Sequence, residues 1–427
     1  MKRFCAALIS ILLILLCGCK SPSDLLSDLG DEFGYHFSRT YDNISRLISD
    51  AISDVVDEST IEESETIVIL PGKDELKNTK LKAYAKLNAK QKKLYSVMLT
   101  AVRNMELKAV DITDYVSKDG FSDAVVVHRA IICDNPDIFW MPKKISFLSV
   151  KGKDNKYFAF KRQTGKDDGK GFFEVTPIQK QIMQKKFDAK VNSIVSAASA
   201  LSDPFRKELY LHDYLCEHVT YDNDSAGEAQ NFNPNAITAY GAIVEGKAIC
   251  EGYSKAMQLL CLKCGIPCNL VFGEHNGVSH MWNIINPGQG LYYLDTTFDD
   301  ASSKNVLHIY FNLTKADLQK DHIFDESYSR SKTYDGTQSF NFFSNDCKST
   351  FSNYYERNGA YIEEDCLLAI NALSVAEKEG KNSAELKNTT NRSLKSAFNL
   401  LCEKAQNSVN FKYCLYYDDF NVMIVVW

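Results

Sequence analysis

The pattern of apolar residues is most regular between positions 249 and 300, where it predicts a helix followed by a hairpin. Four apolar positions step by four, three and four residues, the spacing of one buried helix face: Ile249, Tyr253, Ala256 and Leu260. Gly265 and Pro267 are predicted to end this helix. After a return strand, two more strands are predicted over 280–286 and 291–297, joined by the sequence PGQG.

The rest of the folded chain alternates between helical and strand patterns. Upstream, these patterns predict helices over 91–107, 123–134, 178–200 and 203–219, and strands over 145–150, 157–161 and 171–175. Downstream, they predict strands over 360–362, 411–417 and 422–427, and helices over 365–379 and 390–405. This mixture predicts an α+β protein with a small α/β module at its C-terminus.

The first nineteen residues differ from the rest and predict an export signal. Lys2 and Arg3 precede an apolar run from Phe4 to Leu16, which is shorter than the about 20 residues that a membrane-spanning helix needs. The run leads into the sequence LCGC, which resembles the lipobox of bacterial lipoproteins. That resemblance implies that Cys19 is lipidated and anchors the exported chain in the bacterial cell membrane.

Residues 20–81 are rich in Ser, Asp and Glu, which is typical of a tether between a membrane surface and a folded domain. Six apolar residues within the tether recur at helical spacing: Ile44, Leu47, Ile48, Ile52, Val55 and Val56. They predict a short amphipathic helix, which we interpret as resting on the domain, with partner binding as the alternative.

Composition and charge restrict the function classes. With 45% apolar and 24% charged residues, the chain has the composition of a soluble globular protein. Its net charge of −6 argues against general nucleic-acid binding, because phosphate recognition needs a surplus of basic residues.

The sequence predicts neither a cofactor nor a metal. It contains no phosphate loop and no cofactor motif. The closely spaced Cys261, Cys264 and Cys268 lack an accompanying CxxC or HxxxH pattern, so apolar packing positions explain them better than zinc. His212 and His218 lie six residues apart on one predicted helix and do not share a face, so we interpret both as structural.

Cys250 is the candidate nucleophile. Gly246 interrupts the chain just before the predicted helix, which places Cys250 in its first turn. Free backbone N–H groups and the helix dipole favour a thiolate there and lower the thiol pKa. Apolar burial would raise the same pKa, and the sequence leaves open which effect is larger.

The predicted hairpin brings a histidine and a carboxylate together. When residue 286 pairs with 291, paired numbers sum to 577, and His280 and Asp295 become diagonal neighbours on one face. Diagonal Cβ atoms are about 7 to 8 Å apart, a gap that one imidazole–carboxylate hydrogen bond closes. Cys250, His280 and Asp295 therefore predict the nucleophile, base and orienting acid of a thiol triad.

Four further residues are candidates for the oxyanion hole and substrate cleft: Tyr240, Glu251, Gly252 and Trp282. Tyr240 is considered as an oxyanion donor beside the backbone N–H of Cys250. Gly252 would let a substrate backbone approach, and Trp282 shares the strand face of His280 and would wall the cleft. The polar loop over 221–235 is predicted to form a rim over a cleft.

Three segments of the chain resemble the sequence blocks of the transglutaminase-like, papain-related superfamily: YGAIVEGKAICEGYSKAM, SHMWNII and YYLDTTFDD. The resemblance covers about residues 205–300, and the segment HRAIICDNPDIFWM extends a weaker one upstream. It implies an α+β fold in which a cysteine helix packs against an antiparallel sheet that carries the histidine and the acid. It leaves the reaction open, because the superfamily includes cross-linking enzymes, peptidases, amidases and inactive members.

These observations predict five segments: a signal peptide (1–19), a tether (20–81), an N-terminal α+β segment (82–177), a transglutaminase-like catalytic domain (178–335) and a C-terminal α/β module (336–427). We expect an exported thiol enzyme that hydrolyses amide or isopeptide bonds in protein or cell-wall peptide substrates. Protein-glutamine acyl transfer and a non-catalytic, surface-binding lipoprotein are the alternatives. The sequence does not predict the oligomeric state.

Overall fold

The structure is a computed structural model that describes residues 52–56, 81–118, 120–141, 145–159, 175–227, 232–300, 306–324, 342–343, 346–405 and 410–427. The predicted signal peptide and most of the predicted tether lie outside these ranges. Within them, no helix is long and apolar enough to cross a membrane. The chain divides into two compact units, one within Phe37–Ser352 and one that includes Asn353–Trp427.

The helices of the larger unit are α1 (Ala89–Asn104), α2 (Ser122–Asp134), α3 (Pro177–Ser199), α4 (Pro204–His218), α5 (Asn223–Gly227), α6 (Cys250–Lys263), α7 (Thr296–Asp299) and α8 (Lys315–Leu318). Its strands are β1 (Ile52–Val56), β2 (Val110–Asp111), β3 (Ser146–Val150), β4 (Lys156–Ala159), β5 (Thr220–Tyr221), β6 (Lys247–Ala248), β7 (Cys268–His275), β8 (Val278–Ile285), β9 (Tyr292–Leu294) and β10 (His322–Phe324). Short helical turns occupy Ala83–Lys86, Thr113–Tyr115, Pro234–Ile237 and Gly241–Glu245.

The N-terminal part combines the helix pair α1 and α2 with a four-stranded sheet of order β1-β3-β4-β2. Residues 52–56 form β1, which pairs in parallel with β3, where the pattern had predicted the end of an amphipathic helix. Three of its five residues are β-branched and favour a strand once the edge of β3 offers hydrogen-bonding partners. Residues 171–174 of the strand predicted over 171–175 lie outside the described residues.

Buried hydrogen bonds of Asp134 join this N-terminal part to the central sheet. The Asp134 carboxylate accepts the backbone N–H groups of Ala83 and Tyr84, each at 2.8 Å. The Asn269 amide on β7 donates to the Leu81 carbonyl at 2.8 Å and to Asp134 at 3.3 Å. Because buried polar groups are costly without partners, these bonds fix how the first helices dock on the sheet.

The central sheet has the order β10-β7-β8-β9, and all neighbouring strands are antiparallel. Asn276 and Gly277 join β7 to β8 with φ angles of 50° and 76°, as a two-residue hairpin turn requires. Asn283 on β8 pairs with Leu294 on β9, which is the predicted register with paired numbers that sum to 577. The sequence prediction of this hairpin register is confirmed.

The strand predicted over 291–297 is three residues too long at its C-terminal end, because β9 stops at Leu294. Asp295 follows, and its side chain accepts the backbone N–H groups of Thr297 and Phe298 at the start of α7. An aspartate that satisfies the first free N–H groups of a helix favours the helix over further strand pairing.

Helix α6 packs against β7 and β8 and is largely buried. It begins at Cys250, as predicted, and ends at Lys263, just before Gly265 takes a left-handed φ of 77°. A cysteine helix on an antiparallel sheet that carries His280 is the arrangement expected from the sequence, so the predicted α+β class is confirmed.

The C-terminal unit is a small α/β module. Its helices are α9 (Tyr354–Asn358), α10 (Leu367–Lys378) and α11 (Leu394–Ala405), and its strands are β11 (Tyr361–Ile362), β12 (Ser383–Asn388), β13 (Tyr413–Tyr417) and β14 (Val422–Val426). The sheet order is β11-β12-β14-β13, with β11 and β12 parallel and the other pairs antiparallel. The sequence SAELKN of β12 lacks a strong strand pattern, which is why this central strand was not predicted.

Candidate active site

The chain conformation before α6 presents Cys250 at the helix start. Gly246 adopts a left-handed φ of 67° and ends the preceding helical turn. The short strands β5 and β6 then pair in parallel, which sets Tyr221 beside Ala248, two residues before Cys250. Ile249 is extended at the helix cap, so Cys250 is the first residue in helical conformation.

Burial controls the acidity of the Cys250 thiol. Cys250 is only 1% exposed. Burial, together with the charges of Glu251 and Asp295, raises the pKa of Cys250 well above the ordinary thiol value. The backbone N–H groups of Met281 and Glu251 donate to the sulfur and lower the pKa of Cys250, but by less. Of the two opposing effects that the sequence left open, burial is the larger.

His280 and Asp295 form a close hydrogen-bonded pair. His280 Nε2 lies 2.5 Å from Asp295 Oδ2, and each residue is 1% exposed. Burial opposes ionisation of Asp295, but the charges and hydrogen bonds of His280 and His322 outweigh it and hold the pKa of Asp295 well below its usual range. The carboxylate is therefore ionised at neutral pH and fixes His280 as the tautomer protonated on Nε2.

This pairing decides which ring nitrogen of His280 can exchange a proton with the thiol. Asp295 binds Nε2, so Nδ1 is the ring nitrogen that does not contact this carboxylate. The Cys250 sulfur lies against the backbone N–H of Met281, the residue that follows His280 on β8. Cys250, at the helix start as predicted, therefore lies next to strand β8, which carries His280 of the predicted His280–Asp295 pair.

His322 is a site residue that the sequence reasoning missed. Its Nε2 lies 3.1 Å from Asp295 Oδ2, the same oxygen that binds His280. Its Nδ1 lies 2.6 Å from Asp321 Oδ1, and the Tyr310 hydroxyl donates to Asp321 Oδ2 at 2.5 Å. His322 lies on the three-residue strand β10, which is too short to show an alternating pattern in the sequence.

Two of the predicted cleft residues pack in the interior instead of facing a substrate. Trp282 is 0% exposed and stacks on the His280 ring at 5.9 Å between centroids, so it supports the imidazole from within the core. The Tyr240 ring packs against Phe139 at 5.0 Å and Phe187 at 5.9 Å. These contacts make Tyr240 part of an aromatic cluster, and the geometry gives no support to its predicted role as an oxyanion donor.

The other two cleft candidates also have contacts within the protein. A Cβ added at Gly252 would lie 2.4 Å from the Ala236 carbonyl oxygen and 2.8 Å from the Ala248 Cβ. The space that we assigned to a substrate backbone is therefore filled by the chain itself. Glu251 is buried, and its Oε1 pairs with Lys255 Nζ at 2.6 Å.

The predicted triad is covered in this structure, whereas the sequence predicted a substrate cleft with the polar loop 221–235 at its rim. Cys250, His280 and Asp295 lie in the interior, while the Tyr221 ring remains partly exposed and its hydroxyl is buried. Burial and the charges of Cys250, Tyr253 and Asp295 raise the pKa of Tyr221, which places this tyrosine beside the triad. A substrate can reach the sulfur only after the covering residues move.

A second cysteine–histidine–aspartate group lies in the same unit and differs from the predicted triad in the contacts of its imidazole. Cys216 Sγ lies 3.8 Å from His212 Nε2, and Asp299 Oδ2 lies 3.1 Å from the same nitrogen. Burial raises the pKa of Cys216 to about 11. Because thiol and carboxylate share one nitrogen, the imidazole cannot relay a proton between them, and we interpret this group as structural.

Three groups of described residues bring possible metal-ligand atoms together: His212, Asp213 and His308; His275, Asp321 and His322; and His280, Asp295 and His322. His212 Nδ1 and His308 Nε2 lie 2.9 and 3.0 Å from the same Asp213 oxygen. The pairs around His322 are 2.6 to 3.1 Å apart. These are hydrogen-bond distances, and we interpret all three groups as hydrogen-bond networks.

Comparison with known proteins identifies the domain. Residues 192–310 match the family model described as the Transglutaminase-like superfamily. No curated protein sequence matches the chain significantly. The matched region contains Cys250, His280 and Asp295, and it lies inside the segment 178–335 that the sequence predicted to be the catalytic domain.

Several solved structures are similar to parts of the chain. A crystal structure of a TGase matches with 15% identity over 60% of this chain and 61% of its own, with a TM-score of 0.27. The periplasmic domain of TgpA from Pseudomonas aeruginosa bound to ethylmercury matches with 14% identity over 36% and 58%, with a TM-score of 0.22. A putative protease from Parabacteroides distasonis matches with 6% identity over 35% and 39%, with a TM-score of 0.22. The chain spans less than two thirds of each of these structures.

Proposed function

Residues 192–310 of this chain form a transglutaminase-like domain, and on that premise we propose that the protein is an exported thiol enzyme that cleaves amide or isopeptide bonds. Cys250 is the nucleophile, His280 the general base and acid, and Asp295 the residue that orients the imidazole. The observation that carries the proposal is the 2.5 Å pair of His280 and Asp295, next to a sulfur held at the N–H of Met281.

The first step transfers a proton within the site. Because burial keeps the resting thiol protonated, His280 Nδ1 takes the Cys250 proton as the sulfur attacks the carbonyl carbon of the amide. The imidazolium that forms is stabilised by the Asp295 carboxylate at Nε2. The N–H of Cys250, in the first turn of α6, has no acceptor within the helix and is available to the oxyanion.

The reaction then proceeds through completion of acylation and hydrolysis of the acyl-enzyme. The C–N bond breaks as His280 Nδ1 returns its proton to the leaving nitrogen, which departs as an amine and leaves a thioester on Cys250. A water molecule then attacks the thioester carbonyl, gives a proton to His280, and releases the carboxylic acid. The proton on His280 returns to the sulfur, and the enzyme regains its starting state.

The proposed substrates are proteins or cell-wall peptides outside the cytoplasm. This part of the proposal rests on the predicted export signal and on lipidation at Cys19, which would hold the domain at the membrane surface. The tether over 20–81 would give it reach to such substrates.

Acyl transfer to an amine is the second candidate, and the burial of the triad favours it. Transfer uses the same thioester but must keep water from it until the amine arrives. Cys250, His280 and Asp295 are each 1% exposed, which limits the access of water as transfer requires.

Turnover by the mature chain tests the main proposal. The chain beginning at Cys19 is incubated with protein substrates and with peptidoglycan, and released amines and peptides are measured by mass spectrometry. Cys250→Ala is expected to abolish product, whereas Cys261→Ala, a fully buried cysteine on the same helix, is the matched control and retains it. Equal product from the Cys250→Ala variant and the parent chain would reject the thiol mechanism.

A labelled primary amine separates the two candidate reactions. Hydrolysis predicts free acid and no label in the protein substrate, whereas transfer predicts covalent label on glutamine side chains. Incorporation that depends on Cys250 would replace hydrolysis with transfer as the assigned function.

A further inference from the structure

We propose that His322 is a positioning residue for the His280–Asp295 pair, acting as a second, charged imidazole on the same carboxylate oxygen. This inference rests on the proposed function and extends it to a residue outside the predicted triad. It stands on the shared contact at Asp295 and on the burial of His280, Asp295 and His322.

The hydrogen bonds of Asp295 leave its carboxylate no freedom to rotate. Oδ1 accepts the N–H groups of Thr297 and Phe298 at 3.0 and 3.3 Å. Oδ2 accepts His280 Nε2 at 2.5 Å and His322 Nε2 at 3.1 Å. An ionised carboxylate offers about four acceptor sites, and all four are occupied here. Of the two imidazoles on Oδ2, His280 is the proposed base, and His322 is the one that takes no part in proton transfer.

His322 is held in a charged form by two carboxylates. Its Nδ1 lies 2.6 Å from Asp321 Oδ1, so both ring nitrogens face anionic acceptors and both carry hydrogen. Although burial opposes the charge, the hydrogen bonds and charges of Asp295 and Asp321 raise the pKa of His322 to about 9. The Tyr310 hydroxyl completes the network by donating to the other oxygen of Asp321.

The titratable groups around His322 come from four parts of the sheet and its loops: His280 on β8, His275 and Glu274 on β7, Asp295 before α7, and Tyr310 and Asp321 before β10. Burial and the charges of His322 and His280 lower the pKa of His275 to about 4, so His275 is uncharged at neutral pH. Glu274 pairs with Ile323 and therefore lies on the opposite face of the sheet.

The charge of His322 has a consequence for the base. The His280 and His322 rings are 5.4 Å apart, so the second cation offsets part of the negative field that Asp295 places on His280. Removal of His322 should therefore change the pH dependence of activity, because it leaves that negative field unopposed.

Substitutions of His322 in the mature chain test both parts of this role. His322→Phe keeps a ring but removes both donors and the charge, and His322→Gln keeps a donor without the charge. The matched control is His308→Phe. His308 Nε2 makes an equivalent hydrogen bond, 3.0 Å long, to a different carboxylate, that of Asp213. For each variant we would measure kcat and KM between pH 5 and 10, and the imidazole nitrogen shifts by NMR on histidine-labelled protein.

The inference predicts a kcat about 10- to 100-fold lower in His322→Phe with KM within about twofold, since the hydrogen bond that positions Asp295 is lost and no substrate contact changes. It also predicts that the acid limb of activity moves to higher pH, by about 1 to 2 pH units, in both variants, because the positive charge beside the His280–Asp295 pair is lost. His322→Gln recovers part of kcat but not the shift, and His308→Phe changes neither.

The NMR measurement separates this inference from the proposed function, because it needs no turnover. The protonation state of His322 is measured on the parent chain alone. A doubly protonated His322 at pH 7, together with His280 nitrogen shifts that change in His322→Gln but not in His308→Phe, supports the inference. A neutral His322 at pH 7, or His280 nitrogen shifts that stay unchanged in His322→Gln, overturns it even if the enzyme is active. Absence of Cys250-dependent turnover overturns the proposed function. It leaves the NMR results on His322 and His280 valid.

Discussion

The backbone N–H of Met281 donates to the sulfur of Cys250. Strand β8 thus holds the thiol with Met281 and offers the imidazole with the preceding residue, His280. The relative positions of nucleophile and base depend on how α6 packs against β8, and the Ser254 hydroxyl supports that packing by donating to the Met281 carbonyl at 2.9 Å. The following predictions test this arrangement and the burial that accompanies it.

Labelling of Cys250 by iodoacetamide should be slow at pH 7 and should accelerate as the pH rises. The thiolate is the reactive form, and burial raises the pKa of Cys250, so the thiolate fraction is small at neutral pH. Mass spectrometry of labelled peptides gives the rate, with the partly exposed Cys264 on the same chain as internal reference. Faster labelling of Cys250 than of Cys264 at pH 7 would contradict the closed, protonated site.

Asp295→Asn should lower kcat by about 10³- to 10⁴-fold while the fold persists. Asparagine keeps an acceptor for the N–H groups at the start of α7, but its amide cannot hold His280 in the tautomer protonated on Nε2. Steady-state kinetics and circular dichroism together check this outcome. A kcat within tenfold of the parent would remove Asp295 from the triad.

Glu208→Gln should stabilise the protein at pH 8 and leave its stability at pH 4 nearly unchanged. Glu208 is fully buried, accepts one hydrogen bond from Asn312, and burial raises the pKa of Glu208 to about 8. A raised pKa contributes stability that is present below the unfolded value near 4.5 and is lost as the pH rises to about 8. Removing that titration should therefore add about 2 to 4 kcal/mol to the free energy of unfolding at pH 8.

Urea unfolding at the two pH values measures the effect of Glu208. Glu217→Gln is the matched control, because Glu217 lies on the same helix, α4, and is exposed. Equal changes in both variants, or a loss of stability in Glu208→Gln at pH 8, would show that Glu208 is not buried in its protonated form.

Gly252→Ala should destabilise the larger unit by about 2 kcal/mol or more, because the new methyl group would meet the Ala236 backbone at 2.4 Å. Thermal unfolding checks the prediction. Gly120→Ala is the control, since a Cβ there meets no atom within 4 Å and its φ is ordinary. If Gly252→Ala kept its stability and lost only substrate affinity, the role first predicted for this glycine would be restored.

The local features of the site followed from the sequence because they depend on residues close together in the chain. A glycine before an apolar helical pattern was enough to place Cys250 in a first turn. The four-residue connection PGQG and the period of two fixed the β8–β9 register, which brought His280 and Asp295 within one hydrogen bond. These rules need no knowledge of the rest of the fold.

The tertiary structure decided what depends on distant segments. His322 reaches Asp295 from 27 residues away in the sequence, through a strand too short to carry a pattern. The space beside Gly252 is filled by Ala236 in a helical turn and Ala248 on β6, and burial outweighs the helix start at Cys250. The sequence by itself determined which residues lie at the helix start and in the hairpin, through helix and hairpin periodicity. Only the packed chain decided how acidic and how accessible they are, because desolvation comes from every segment that surrounds them.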